Sequence, residues 1–240
     1  NDRISKILDL SDEDYAVKLS AIEDSADPLS VIDAEGMLLL PGAIDDQVHF
    51  REPGATHKGD IASESAAAAL GGVTSYMAMP NNNPPACTID AIEQKYAIAS
   101  QCSPANYSFY LGASNENIGE ILKLDPKTNC GVKLFMGSST GNMLVDNEQA
   151  LESIFKSAPT LIATHCEDET SIREALARAK EKYGENIPIA EHPHIRTREA
   201  CIKSTAKAIE MALKSGAQLH ILHTSTADEV EMVLEARKEN

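Results

Sequence analysis

Tryptophan is missing from the 240 residues, and Phe and Tyr bring the aromatic share to only 4%. Any core must therefore be packed mainly from aliphatic side chains. Basic residues are scarce as well: 21 Lys and Arg stand against 37 Asp and Glu, a formal net charge of −16. So acidic a chain repels phosphate backbones, and no local Lys/Arg cluster could neutralise several phosphates, which argues against nucleic-acid binding. No apolar run approaches the roughly 18 residues of a membrane span. The nearest, Met37 to Ala43, is interrupted by Pro41 and Gly42. These absences predict a soluble chain that does not enter a membrane. Cys87, Cys102, Cys130, Cys166 and Cys201 form no C-x-x-C pair, a usage that fits reduced thiols in a cytoplasm better than a disulfide framework. Asn1 to Leu10 lacks the basic start and apolar run of a signal peptide. An initiator Met is also lacking, and the last residues, Ala236 to Asn240, lie inside a helical pattern. The chain is expected to be a piece of a longer protein.

What is present is ordinary globular composition, 42% apolar and 24% charged, enough to bury a sizeable core. Short β-type runs alternate with helical patterns from Val73 onward. Strands are predicted at Ala43–His49, Val73–Met79, Asn106–Leu111, Val132–Phe135, Leu161–His165 and Gln218–His223. Helices are predicted near Ile61–Leu70, Ile89–Gln101, Asn117–Leu124, Asp146–Lys156, Asp168–Tyr183, Thr197–Ser215 and Ala227–Lys238, with Asp60, Gly71-Gly72 and Gly216 as stop and start signals. Residues 1–41 read instead as a small β domain, with strands at Arg3–Leu8, Leu29–Ile32 and Met37–Leu40 and a turn at Asp33-Ala34-Glu35-Gly36. Ser11–Asp14 and Glu23–Pro28 read as acidic surface loops.

Consecutive βα units suit an open doubly wound sheet or a (β/α)8 barrel. No G-x-G-x-x-G follows the first strand, which weakens a dinucleotide fold. The fold class is therefore read as α/β, a (β/α)8 TIM barrel over 42–240, with about six of its units present, because a full barrel takes about 250 residues.

Polar residues gather at the strand ends. Asp45, Gln47, His49 and Arg51 alternate onto one face, Asn81 follows strand two, Lys133 lies in strand four, and His165 and His223 end strands five and six. A barrel converges these ends on one mouth. A lone strand-end His is ordinarily a hydrogen-bonded structural residue, and Lys133 alone could be an ion-pair partner. Their coincidence is what suggests Zn²⁺ and a water activated near neutral pH. A buried ammonium beside a cation would be repelled, and carboxylation of Lys133 by CO₂ would turn it into an anionic bridge. His57, His192, His194 and His220 are read as structural. His220 is placed on the strand face toward the helices, and His192 and His194 flank Pro193 in a loop that could reach a ligand. Cys166 and Glu167 are either groups that orient the ligands or packing residues.

Several motifs resemble a known family. Val31-Ile32-Asp33-Ala34 through Leu40-Pro41-Gly42-Ala43-Ile44-Asp45 is similar to the barrel entry of the amidohydrolase superfamily. Val48-His49-Phe50-Arg51-Glu52-Pro53-Gly54 and Met79-Pro80-Asn81-Asn82-Asn83-Pro84 resemble the two dihydroorotase signatures. Val132–Phe135, Thr164–Asp168 and Leu222–Thr226 extend the likeness. The resemblance implies a barrel of the metal-dependent hydrolase type with one or two zinc ions, with His49 on one, His165 and His223 on the other, and carboxylated Lys133 as the bridge. It implies that Arg51 and Asn81 hold a small substrate bearing a carboxylate, and that a zinc-activated water opens the ring of dihydroorotate to N-carbamoyl-aspartate in pyrimidine synthesis. Two departures stand out. The family's first strand carries His-x-His, where this chain has Gln47, and the family's Asp general acid/base is expected beyond Asn240, so no catalytic acid/base is identified here. A hydantoinase or allantoinase shares the metal frame, although Arg51 would lack a partner on a hydantoin ring. A catalytically silent homologue serving as a structural partner is the reading Gln47 favours. Oligomeric state is left open, a homodimer being one option.

Overall fold

The computed structural model describes Ile4, Ile32 and residues 7–23, 34–137 and 142–239. The chain divides into two compact units, Asn1–Pro41 and Gly42–Asn240.

In the first unit the described residues contain α1 (Tyr15–Glu23) rather than strands. A turn at Asp12 leads into it, the Tyr15 amide donating to the Asp12 carbonyl, and Lys18 pairs with Asp14 at 2.6 Å one helical turn away. The expected turn closes with the Met37 amide donating to Ala34 and Gly36 in the left-handed region. The expected strand Met37–Leu40 does not form. A strand needs a neighbour for its backbone groups and a surface for its side chains, and Leu39 is 94% exposed. The other two expected strands, Arg3–Leu8 and Leu29–Ile32, lie largely outside the described residues.

The second unit is a six-stranded sheet in sequential order, every pair parallel. Its strands are β1 (Ala43–Val48), β2 (Val73–Ala78), β3 (Asn106–Gly112), β4 (Gly131–Phe135), β5 (Ile162–His165) and β6 (Leu219–Ile221). A doubly wound sheet reverses its strand order at a switch point; this one never does, which is the order of a barrel wall. Between the strands run α2 (Ile61–Leu70), α3 (Ile89–Cys102), α4 (Ile118–Ile121) and α5 (Glu148–Ser157). The β5–β6 connection is longer, with α6 (Glu169–Tyr183), a 3-10 turn at Ile189–Glu191, α7 (His192–Ile195) and α8 (Arg198–Ser215). Helix α9 (Ala227–Ala236) follows β6.

The helix boundaries follow side-chain caps. Asp60, Thr88, Asn147, Asp168 and Thr197 each accept an amide of the first turn, and Thr226 with Glu229 forms a reciprocal capping box on α9. Gly216 ends α8 in the left-handed region. Helix α4 starts as predicted but ends at Ile121 rather than Leu124, and the Asn117 side chain does not cap it. Its amide is spent on Ser114, Cys87 and Gly112 instead.

The main core lies between sheet and helices and includes Ile61, Phe109, Leu111, Val132, Leu134, Ile154 and Ile162. Each such fully buried apolar side chain contributes about 1.5–3 kcal/mol. A smaller cluster, Met79, Tyr110, Ala163 and Leu222, forms on the inner face of the sheet.

Candidate functional site

Strand alternation decides which polar groups turn inward. In β4, Val132 and Leu134 pack helix-side, so Lys133 takes the inner face beside Ala163 of β5, its ladder partner. Lys133 is 2% exposed. Its Nζ donates to the Leu134 carbonyl at 3.2 Å and lies 3.9 Å over the Phe135 ring. Burial pulls its amine down to about 7 from 10.5, so near neutral pH much of it is uncharged.

One strand on, Ile162 faces the helices and His165 the inner side. His165 Nδ1 faces His223 Nε2 at 3.1 Å. On the opposite side of the same ring, Nε2 meets Glu167 Oε2 at 2.5 Å. Glu167 is itself gripped by Arg196, whose Nε donates to Oε1 at 2.8 Å and whose Nη2 donates to Oε2. Burial would raise the Glu167 carboxyl, but the bonds and charges of His165 and Arg196 outweigh it and hold it at about 2. His223 lies past the end of β6, with a left-handed φ of 38°. Burial lowers its pKa, and His165 and Lys133 lower it further. It is thereby kept neutral, the form in which imidazole can act as a ligand.

At the β1 end, His49 Nδ1 lies 2.8 Å from Asn81 Oδ1, and Arg51 Nη1 donates to the Asn81 carbonyl at 3.1 Å. Arg51 also has a left-handed φ, 50°, and no ion pair among the described residues involves it. Burial lowers the pKa of His49, opposed by the Asn81 bond and reinforced by Arg51, Lys133 and Lys95. Lys133 thus acts electrostatically on both His49 and His223.

The structure brings together some predicted residues and not others. His165 and His223 are in direct contact, and Arg51 and His49 each contact Asn81. His49 is not gathered with the other two histidines into a ligand set: among the described residues no group of three or more His, Cys, Asp or Glu is arranged to hold a metal. The even alternation expected of Asp45, Gln47 and His49 is broken, because the β1–β2 register shifts between Asp45 and Val48. The Gln47 backbone N–H donates to Asp45 Oδ1 at 3.0 Å. The placement of His220 toward the helices is corrected. Leu219 and Ile221 pack helix-side, so His220 turns to the inner face and lies 3.4 Å from Asp46 of β1. His223, beyond the strand, no longer obeys strand parity. All five cysteines are free, and no helix among the described residues is long and apolar enough to cross a membrane.

Two features escaped the sequence reading. Arg196 carried no signal, being remote from Glu167 along the chain. Lys95 did carry one, sharing the buried face of α3 with Ile92 and Ala99. A lysine at that spacing marks a buried ammonium. Its Nζ donates to the Met79 carbonyl at 3.0 Å and lies 3.4 Å from Asn82 Oδ1, in the loop that carries Asn81.

The donor chemistry fits zinc. Two nitrogens bound tetrahedrally at 2.0–2.1 Å stand about 3.3 Å apart, close to the observed 3.1 Å between His165 and His223. Lys133 offers a buried amine with no carboxylate partner among the described residues.

Comparison with known proteins places these features in a lineage. Residues 36–229 match the family described as "Dihydro-orotase-like". An allantoinase of Desulfitobacterium hafniense (strain DSM 10664 / DCB-2) is 33% identical over 95% of this chain and 52% of its own length. A dihydroorotase of Halobacterium salinarum is 32% identical over 89% of this chain and 50% of its own. The L-hydantoinase structure from Arthrobacter aurescens superposes with a TM-score of 0.81 at 28% identity, covering 89% of this chain and 49% of that one. The chain thus spans about half the length of the relatives it matches, and its sheet corresponds to part of the hydantoinase barrel. By the extent of these matches, the chain belongs to the dihydroorotase-like family of cyclic amidohydrolases.

Proposed function

We propose that the chain supplies six βα units of a (β/α)8 barrel and most of the binding site of a zinc-dependent cyclic amidohydrolase, and that its reaction is the interconversion of dihydroorotate and N-carbamoyl-aspartate. The observation that carries the reading is the His165–His223 pair, facing nitrogen to nitrogen at 3.1 Å with Lys133 buried nearby and Arg51 beside His49. His165 and His223 would hold one zinc. His49 would serve a second, weaker position, since Gln47 offers an amide where an imidazole is the better zinc donor. Lys133 would bridge them as a carbamate, its uncharged amine adding to CO₂ and releasing one proton. Zinc, when bound, supplies Lewis acidity and an activated water.

The chain's own residues do the rest. Arg51 keeps guanidinium N–H groups beyond the one spent on Asn81, and its planar fork matches a carboxylate bidentately. Asn81 ties Arg51 to His49, fixing the carboxylate grip relative to the metal side of the site. Gln47 favours a second reading, a homologue that binds substrate without turning it over.

Arg51→Met in the full-length protein tests the choice of substrate. Losing a bidentate charged contact costs about 2–5 kcal/mol, roughly a thirtyfold to several-thousandfold fall in kcat/KM. The fall is expected for dihydroorotate and not for hydantoin or allantoin. An unchanged rate, or a wild-type preference for either of the latter, rejects dihydroorotate as the substrate. Absence of turnover with zinc bound favours the silent homologue.

A further inference from the structure

The His165 ring has two nitrogens, and only one faces His223. The other is engaged by a carboxylate that is almost wholly enclosed: the Glu167 side chain is 8% exposed and that of His165 15%. Glu167 does not stand alone. Arg196, arriving from the turn between α7 and α8, closes on both its oxygens, and its own backbone amide is fixed to the His192 carbonyl at 2.9 Å. Next in sequence, the Asp168 amide donates to the Ala200 carbonyl of α8 at 3.0 Å, so both residues 167 and 168 are tied to the segment that delivers Arg196. The carboxylate therefore has one orientation available, and that orientation fixes the plane of the imidazole.

We propose that Glu167 and Arg196 are positioning residues, a clamp that holds His165 with Nδ1 aimed at the metal position opposite His223. The proposal rests on the zinc reading above. An ionised carboxylate only accepts hydrogen bonds, so His165 Nε2 must carry the hydrogen and Nδ1 is left with the free electron pair. A carboxylate behind a ligand histidine also raises the basicity of the ligating nitrogen. Arg196 contributes by keeping Glu167 from rotating toward solvent, so its removal should be felt at the metal without its touching the metal.

The test is zinc affinity of the full-length protein, measured by chelator competition on Glu167→Gln, Glu167→Ala and Arg196→Met, with circular dichroism of the metal-free proteins to show that each is folded. Loss of such an outer partner weakens metal affinity by about 10–100-fold. Glu167→Ala should reach that range, Glu167→Gln should recover part of it by restoring an acceptor, and Arg196→Met should fall between wild type and Glu167→Ala. A cobalt-loaded Arg196→Met protein should show a shifted visible absorption band, which mere loss of fold stability would not produce. If Glu167→Ala does not fold, Arg196→Met decides alone, because the Arg196 side chain is 37% exposed. Wild-type zinc affinity and spectrum in the folded variants would overturn the clamp. A wild-type protein that binds no zinc would instead overturn the metal reading on which the clamp rests.

Discussion

Stability of the metal-free protein should rise between pH 7 and pH 9, and Lys95 is a principal cause. The Lys95 side chain is enclosed at 2% exposure, with a carbonyl at 3.0 Å and the Phe109 ring centroid at 4.8 Å but no carboxylate partner among the described residues. Burial lowers it to about 7 from 10.5, with only Cys130 opposing. Between those values the unfolded chain holds a proton that the folded chain has released, so stability climbs with pH. Below pH 7 both states are protonated and the full penalty of burying the charge persists. Over two pH units the gain is on the order of 2 kcal/mol for this residue. Lys133, shifted the same way, adds to it. The climb ends near pH 9 because Cys87 and Cys130 are pushed up to about 11 by burial, and thiols that stay protonated only when folded favour unfolding above their ordinary value of 9.0. Urea titrations at pH 7, 8 and 9 on wild type and Lys95→Met measure it, at constant m-value. The variant should show about half the wild-type slope. A flat or falling wild-type curve, or an unchanged slope in Lys95→Met, would refute the reasoning.

Gln47→His should strengthen only the zinc position served by His49; metal content before and after mild chelation checks this, and two equally resistant zincs in wild type would show that the amide is no handicap. Gly54→Ala should destabilise by about 2 kcal/mol or more, because Gly54 has φ +83° and a Cβ there would lie 1.7 Å from the Asn83 carbonyl oxygen. An unchanged urea midpoint would mean that the loop yields easily.

The sheet was legible because each βα unit carries its own local signals. Helix α2 begins and ends where Asp60 and Gly71 predicted, since capping is decided within a few residues. The strand-end groups were legible for the same reason: strand parity and a shared direction suffice to place Lys133 and His165 on the inner face. What depended on contacts remote in sequence was not. His220 faces inward, against the sequence expectation, because β6 ends at Ile221 and strand parity does not extend to His223. The pairing of Glu167 with Arg196 joins residues whose nearness is created only when α6 turns back on itself through α7. The first unit misled in another way, since Met37–Leu40 has the composition of a strand, yet a ladder needs a second strand that composition cannot supply.

The long β5–β6 connection separates two kinds of constraint. The β5–β6 register, Ile162 with Leu219 through Thr164 with Ile221, fixes how near His165 and His223 come, whatever length of chain intervenes. Residues 184–188 should therefore accept insertions or deletions with little effect on the spacing of the two rings. The tolerance should stop short of Arg196, the point at which the excursion reaches back to the strand ends. A library of length variants across this connection would thus draw a sharp border on the chain, permissive before α7 and intolerant from Arg196 onward.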